Sequence, residues 1–331
     1  MFNKELFVNF LTVAALSFAF TVIISKIVIP ILRGHKIGQQ IRAEGPSWHR
    51  SKAGTPTMGG ICFIMAMLIA LAVMTIIYAF VGRQRELIPL ALTLGLALAN
   101  GLVGFVDDYC KLIKKQNEGL KAYQKFILQV LVAGLYVFAL NILGYLDTSL
   151  PIPFTDFSLE LGWIYYIFAV ILIVGMANSV NLTDGVDGLA SSVTLVVAGF
   201  FAVVAFNMLN VSLALMSAAL IGGLVGFLIF NAHPAKVFMG DTGSLFLGGA
   251  VTGAAFLINE PLIILLVGGI YVFETLSVMI QVTSFKLRNK RVFKMTPIHH
   301  HFEKCGWKEG KIVAVFSALT AVLAVIAWFG L

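Results

Sequence analysis

The sequence predicts an all-α, polytopic membrane protein, and three observations carry that prediction. Apolar residues fill 59% of 331 positions and charged residues only 12%, about half the ~25% charge of a soluble domain. Mean hydropathy is +0.95. The apolar residues fall in long runs without the period-2 alternation of barrel strands, and such runs satisfy their backbone in lipid only as helices.

About ten spans are expected, at 6–29, 59–81, 88–106, 126–143, 163–177, 189–206, 211–230, 243–258, 261–285 and 312–330. Most approach the ~20 residues that cross a hydrocarbon core as helix, while the fifth and eighth are short. The first run is too long for the apolar core of a secretion signal. It carries Glu5 beside Lys4 and lacks a small-residue cleavage pattern after it, so it reads as a retained helix. The second and third runs are separated by a short polar loop, and the third ends directly on Asp107 and Asp108. The fifth leads into Asn181-Leu182-Thr183-Asp184-Gly185-Val186-Asp187. Within the seventh, Gly222 and Gly226 allow close helix approach. The eighth follows Gly240-Asp241, and the ninth contains Glu274 and, two turns on, Gln281. A single integral membrane domain over 1–331 is expected, because no stretch offers a soluble core of its own.

Lys and Arg counted between the spans set the orientation. The odd-numbered loops hold nineteen and the even-numbered loops two, so the odd loops are expected in the cytoplasm and both termini outside it. The net charge of +7 then faces anionic headgroups and cytosolic anions. Basic residues are spread among juxtamembrane loops, which argues against a nucleic-acid partner. Cys62 falls in a span and Cys110 and Cys305 in cytoplasmic loops, so no disulfide is expected.

The acidic, amide and histidine clusters all fall in loops on that one side. A helix bundle needs none of them for stability. Adjacent carboxylates such as Asp107 and Asp108 repel unless a cation lies near, and Mg²⁺ usually takes one or two carboxylates plus substrate phosphates. A solvated helix end with Lys111 as counter-charge is the plainer reading of the same pair. Asp184 and Asp187, three apart, share a face if a helix starts there, although Asp187 also suits the cap of the sixth span. In Asn231-Ala232-His233-Pro234-Ala235-Lys236-Val237-Phe238-Met239-Gly240-Asp241, an amide and an aromatic ring suit a nucleotide base. Gly240 allows close backbone approach, and Asp241 is free to hold a metal. His299-His300-His301 cannot all face one way on a helix, and no cysteine or spaced histidine completes a zinc set, so phosphate contact is preferred. Glu274 is an intramembrane carboxylate, which defaults to function. A polar pair with Gln281 that stabilises helix packing is the alternative.

Five stretches, in order, resemble the bacterial phospho-N-acetylmuramoyl-pentapeptide transferases. They are 46–60, with Gly54-Thr55-Pro56-Thr57-Met58-Gly59-Gly60; the Asp107–Asp108 pair; 181–187; 237–244; and Pro297-Ile298-His299-His300-His301-Phe302-Glu303. Trp48 departs from the family, standing where a small polar residue is expected before His49.

The resemblance implies a Mg²⁺-dependent, ten-helix, homodimeric enzyme of the bacterial plasma membrane with its site on the cytoplasmic face. It would move phospho-MurNAc-pentapeptide from UDP-MurNAc-pentapeptide to undecaprenyl phosphate, giving the first lipid intermediate of peptidoglycan synthesis and UMP. By resemblance, Asp241 is the leading metal ligand, with Asp107 and Asp108 as further candidates. His299 and His300 contact the diphosphate, and Asn231, Phe238, Asp187 and Lys111 hold the uridine. Asp107 is the candidate base, with Asp108 and Asp184 supporting the site. Lys52, Thr57 and Lys125 meet phosphates or the acceptor, and Asn181, Gly240, Ser244, Gln281 and His301 complete the substrate-binding set. Two alternatives remain: a sister transferase using UDP-N-acetylglucosamine, which the histidine stretch disfavours, and a transporter or lipid flippase. Transporters place ionisable groups near the bilayer midplane, and here only Glu274 qualifies.

Overall fold

The computed structural model describes residues 3–34, 54–114 and 119–331. Lys52 and the first part of the 46–60 stretch lie outside the described residues. Among those described, the chain forms twelve α-helices and one two-stranded hairpin. The helices are α1 (Lys4–Gly34), α2 (Gly60–Phe80), α3 (Ile88–Lys114), α4 (Ala122–Ile142), α5 (Ile164–Thr183), α6 (Leu189–Met208), α7 (Val211–Asn231), α8 (Gly240–Phe256), α9 (Ile263–Val267), α10 (Gly269–Arg288), α11 (Ile298–Lys304) and α12 (Glu309–Trp328). The expected all-α polytopic architecture is what the chain adopts.

Eight of these helices are long and apolar enough to cross a membrane. The other two expected spans differ for identifiable reasons. Helix α8 is 17 residues long, starting at Gly240. The run 261–285 is not one helix. It breaks at Gly268 into the short α9 and the longer α10, whose polar content includes Glu274, Gln281, Lys286 and Arg288. A Cβ at Gly268 would lie 2.6 Å from the Ile264 carbonyl oxygen, so the missing side chain is what lets the chain turn there. The hairpin, β1 (Ser149–Pro151) and β2 (Ser158–Glu160), is antiparallel with Leu150 opposite Leu159, and it joins α4 to α5. Its three-residue strands are too short to leave a periodic signal in the sequence.

The core lies along α7 and α8, where most residues of α7 and nearly all of α8 are buried. Outer helices expose apolar stripes instead: Ile23, Ile27 and Ile31 on α1, Leu131 and Leu135 on α4, and Ile164, Ile167 and Ile171 on α5. Repeats at three- and four-residue spacing face outward, as lipid-facing surfaces do and water-facing ones do not. This is a multi-pass membrane protein. Small residues draw the inner helices together. A Cβ at Gly222 would fall 2.1 Å from the Ala14 carbonyl oxygen, so the expected close approach at Gly222 and Gly226 is made with α1.

The caps also decide where the site forms. Helix α7 starts at Asn210, whose side chain accepts from the Leu213 N–H. Helix α6 starts after Gly188, which adopts a left-handed conformation (φ +75°). Asp187 therefore does not cap α6, and its carboxylate is turned toward the α7–α8 loop instead.

Candidate active site

Helices α3, α4, α5 and α8 end together, and their ends bring five charged side chains into one cluster. Asp107, Asp108 and Asp241 offer carboxylate oxygens that all lie within 4.8 Å of one another. Lys111 Nζ stands 2.6 Å from Asp107 Oδ2 and 3.1 Å from Asp241 Oδ2, and Lys125 Nζ stands 2.8 Å from the latter oxygen. Asp107 and Asp108 are buried, whereas Lys111 is about one-third exposed, so the cluster opens to solvent on its lysine side.

The glycines explain how carboxylates from different helices can meet. A Cβ at Gly104, one turn before Asp107 and Asp108, would lie 2.1 Å from the Asp241 carbonyl oxygen. Gly60 and Gly243 likewise bring α2 against α8, since a Cβ at Gly60 would sit 2.4 Å from the Gly243 Cα. No larger residue fits at these crossings without backbone movement.

Each carboxylate has a distinct setting. Asp108 caps α8 from the neighbouring helix: its Oδ2 accepts from the Thr242 N–H at 2.9 Å and from the Thr242 hydroxyl at 2.8 Å. Its Oδ1 also accepts from the Asp241 N–H at 3.3 Å, so two of the otherwise unpaired backbone donors of the helix start are satisfied. Asp107 Oδ1 accepts from the Leu120 N–H. Asp241 Oδ1 accepts from Asn181 Nδ2, which also donates to Ser244 Oγ, and Ser244 donates back to the Gly240 carbonyl. Asp184 follows α5 directly. Burial, and then the charges of Asp241, Asp108 and Asp187, push its carboxyl well above the usual carboxylate range, while a bond from the Gly240 backbone N–H opposes the rise. Gly240 itself is left-handed (φ +76°), with room for no side chain between Asp108 and Thr57.

The α7–α8 loop is sewn to the segment before α2. Phe238 N–H donates to the Pro56 carbonyl, and Gly59 N–H donates to the Phe238 carbonyl. Asn231 is buried and its amide is engaged, accepting from Ser191 Oγ and donating to the Val237 carbonyl. Its visible work is to hold the loop that presents Phe238, which stays partly exposed. Asp187 Oδ2 binds His233 Nδ1 and the Ala235 N–H, and Glu309 Oε2 accepts from the Asp187 N–H. Asp187, His233 and Glu309 form a second group of potential metal donors. The partnership of His233 and Glu309 with Asp187 was not anticipated from the sequence. His233 lies within the stretch singled out there, but Glu309 opens α12 with no local signature.

The histidine tract lies on α11, and its members separate as expected. His299 is fully buried, with Nδ1 3.0 Å from Glu274 Oε1. His300 is partly exposed and pairs with Glu303. His301 Nδ1 accepts from the Lys294 N–H. Gln281 holds the same segment, since its Oε1 accepts from the Val292 and Phe293 N–H groups. Gln281 therefore pairs with the α10–α11 connection and not with Glu274. Thr57, Asn181, Asp184, Gly240, Ser244, Lys111 and Lys125 gather around the three carboxylates, whereas Gln281 and His301 brace a neighbouring loop.

Comparison with known proteins identifies the family. The Glycosyl transferase family 4 profile matches residues 87–259, and the phospho-N-acetylmuramoyl-pentapeptide-transferase signature 1 matches residues 52–64. The phospho-N-acetylmuramoyl-pentapeptide-transferase of Shouchella clausii is 47% identical over 316 residues, covering 96% of this chain and 95% of the relative. That of Clostridium beijerinckii is 49% identical over 320 residues, with 96% and 94% covered. The protein of the same name from Bacillus subtilis is 45% identical over 312 residues, 94% of each chain. With identity this high along nearly the whole length, the chain belongs to the phospho-N-acetylmuramoyl-pentapeptide transferase family.

Proposed function

We propose that this chain transfers phospho-MurNAc-pentapeptide from its UDP carrier to undecaprenyl phosphate, releasing UMP, with Mg²⁺ as its metal and its site on the cytoplasmic face of the bacterial plasma membrane. The observation that carries the reading is the meeting of three carboxylates and two lysines at the ends of apolar helices. There a water-soluble anionic nucleotide can meet a lipid phosphate. The name shared by the relatives supports the same reaction, and their likeness disfavours the N-acetylglucosamine alternative.

Asp241, with Asp107 and Asp108, supplies the hard oxygen donors that Mg²⁺ takes. A cation held there would neutralise charge on the diphosphate. Lys111 and Lys125 add positive charge at the same place, and Asn181 fixes the Asp241 carboxylate between them. The acceptor phosphate has a second pKa of about 6, so near neutral pH it is already mostly ionised and needs little help from a base. Its oxygen attacks the phosphorus that bears the sugar. A new P–O bond forms to the lipid phosphate, and the bond from that phosphorus to the bridging oxygen breaks, its electron pair leaving with UMP. Direct attack is favoured over an aspartyl-phosphate intermediate, because an acceptor that is already ionised needs no covalent relay. Catalysis then rests on positioning and charge neutralisation.

The test is whether purified protein releases UMP from the muramoyl nucleotide when given polyprenyl phosphate and Mg²⁺. No release, or equal release from UDP-N-acetylglucosamine, would overturn the proposal. Phe238 supplies the partly exposed ring of the α7–α8 loop for the uracil. Base–aromatic stacking is worth roughly 1–3 kcal/mol, so Phe238→Ala should weaken inhibition by UMP about 5- to 150-fold. Unchanged UMP inhibition would place the base elsewhere.

Orientation rests on the nineteen-to-two basic bias. A cysteine replacing the exposed Lys290 should resist an impermeant maleimide in intact cells and react after permeabilisation. Ready labelling from outside would reverse the topology. The resemblance also supports a homodimer, for which the native mass of the detergent-solubilised protein is the check.

A further inference from the structure

Glu274 and His299 are both fully buried, on α10 and α11. The contacts between them are unusually complete. Glu274 Oε1 lies 3.0 Å from His299 Nδ1, and Glu274 Oε2 accepts from the His299 backbone N–H at 3.4 Å. Both carboxylate oxygens are thus spent on one residue. A carboxylate only accepts, so Nδ1 must be the protonated nitrogen in this pair. The other ring nitrogen, Nε2, is buried without a hydrogen-bond partner among the described residues. Buried polar atoms in that condition call for an explanation. Nε2 is also the atom closest to Gly185: a Cβ there would lie only 2.2 Å from it. Gly185 stands between Asp184, which bonds Gly240, and Asp187, which bonds Ala235.

We propose that Glu274 is a positioning residue for the transfer: it clamps His299 at two points, holds the proton on Nδ1 and turns a bare Nε2 toward the turn after α5 that carries Asp184 and Asp187. The inference rests on the transferase reading for its kinetic consequence and on geometry alone for the proton. A bare Nε2 can accept a hydrogen bond and cannot donate one to a phosphate oxygen. His299 therefore shapes the turn after α5 and offers an acceptor to an N–H or O–H group. Donation to the diphosphate falls to its partly exposed neighbour His300. Carboxylates orient metal-binding histidines in the same way, and removing such partners typically costs about 10- to 100-fold in metal affinity or activity, which sets the scale expected here.

Two measurements decide the matter. In ¹⁵N-histidine-labelled protein, with the His299 signals assigned by their loss in His299→Asn, wild type should show a protonated Nδ1 and a bare Nε2. Glu274→Gln should lose that fixed pattern. A protonated Nε2 in wild type would overturn the proposal, whether or not any variant folds. In the kinetics, Glu274→Gln should lower kcat about 10- to 100-fold while moving KM for the muramoyl nucleotide less than about 3-fold. It should add nothing further in a His299→Asn background, because residues acting as one unit are not additive. Wild-type kcat in Glu274→Gln, or full additivity of the two substitutions, would show that Glu274 does not act through His299. If wild type releases no UMP at all, the transferase reading fails by itself, and the ¹⁵N spectrum still decides the clamp.

Discussion

Replacing Asp241 with asparagine is expected to lower turnover by about 10²- to 10³-fold, the scale on which loss of one preorganised electrostatic group acts. Asparagine keeps the shape of the side chain and one acceptor oxygen but loses the charge. The new amide NH₂ would confront either the Lys111 and Lys125 ammonium groups at the Oδ2 position or the Asn181 amide at the Oδ1 position. Both lysines would then lack their shared counter-charge, and one of three metal-donating carboxylates would be gone. The loss should appear in kcat, since the charge that this cluster neutralises grows as the bridging oxygen departs. Helix content and monodispersity should match wild type, because α8 is capped by Asp108 rather than by Asp241 itself. Turnover should be measured across a Mg²⁺ titration. Wild-type turnover at saturating Mg²⁺ would exclude Asp241 as an essential ligand.

A single methyl group at Gly104 should be nearly as damaging without touching any charged side chain. The Cβ of Gly104→Ala would sit 2.1 Å from the Asp241 carbonyl oxygen and 2.4 Å from its carbonyl carbon. Both atoms belong to backbone, so no rotamer change relieves the clash, and α3 and α8 must move apart. Overpacking of this kind costs roughly 1–3 kcal/mol in stability. The functional cost should be greater, because the separation acts where Asp107 and Asp108 meet Asp241. The 3.1 Å contact from Lys111 on α3 to Asp241 on α8 cannot survive a displacement of an ångström. Misplacement of that size can reduce rates about 10²-fold. Gly95→Ala is the control on the same helix, since a Cβ there meets nothing within 4 Å. Wild-type turnover in Gly104→Ala would mean that the close α3–α8 approach is not what assembles the site.

The part of the fold that lipid imposes was readable along the chain. Nine of the ten apolar runs each coincide with a single helix, because a backbone in hydrocarbon has no other partner than itself. The break at Gly268 was not readable, since a Gly-Gly pair inside an apolar run looks the same whether the helix continues or turns. Among the site residues, Asp107, Asp108 and Asp241 stood out because carboxylates beside apolar runs need a cation or water. What each one touches could not be read there. Asn231, an expected reader of the base, has its amide tied to Ser191 and the Val237 carbonyl. Gln281 shares a helix with Glu274 but binds Val292 and Phe293, while Glu274 holds His299.

The difference lies in the range of the forces involved. Hydropathy and the demand for backbone hydrogen bonds act on each segment separately, so the sequence by itself determined that this chain is a helical membrane protein with its acidic and histidine groups at helix ends. Which groups meet depends on contacts 25 to 134 residues apart, from Glu274–His299 to Asp108–Thr242. Those contacts exist only where Gly60, Gly104, Gly185 and Gly243 leave space for a neighbouring backbone or ring. That space is a property of two elements packed together. Only the tertiary structure could decide it.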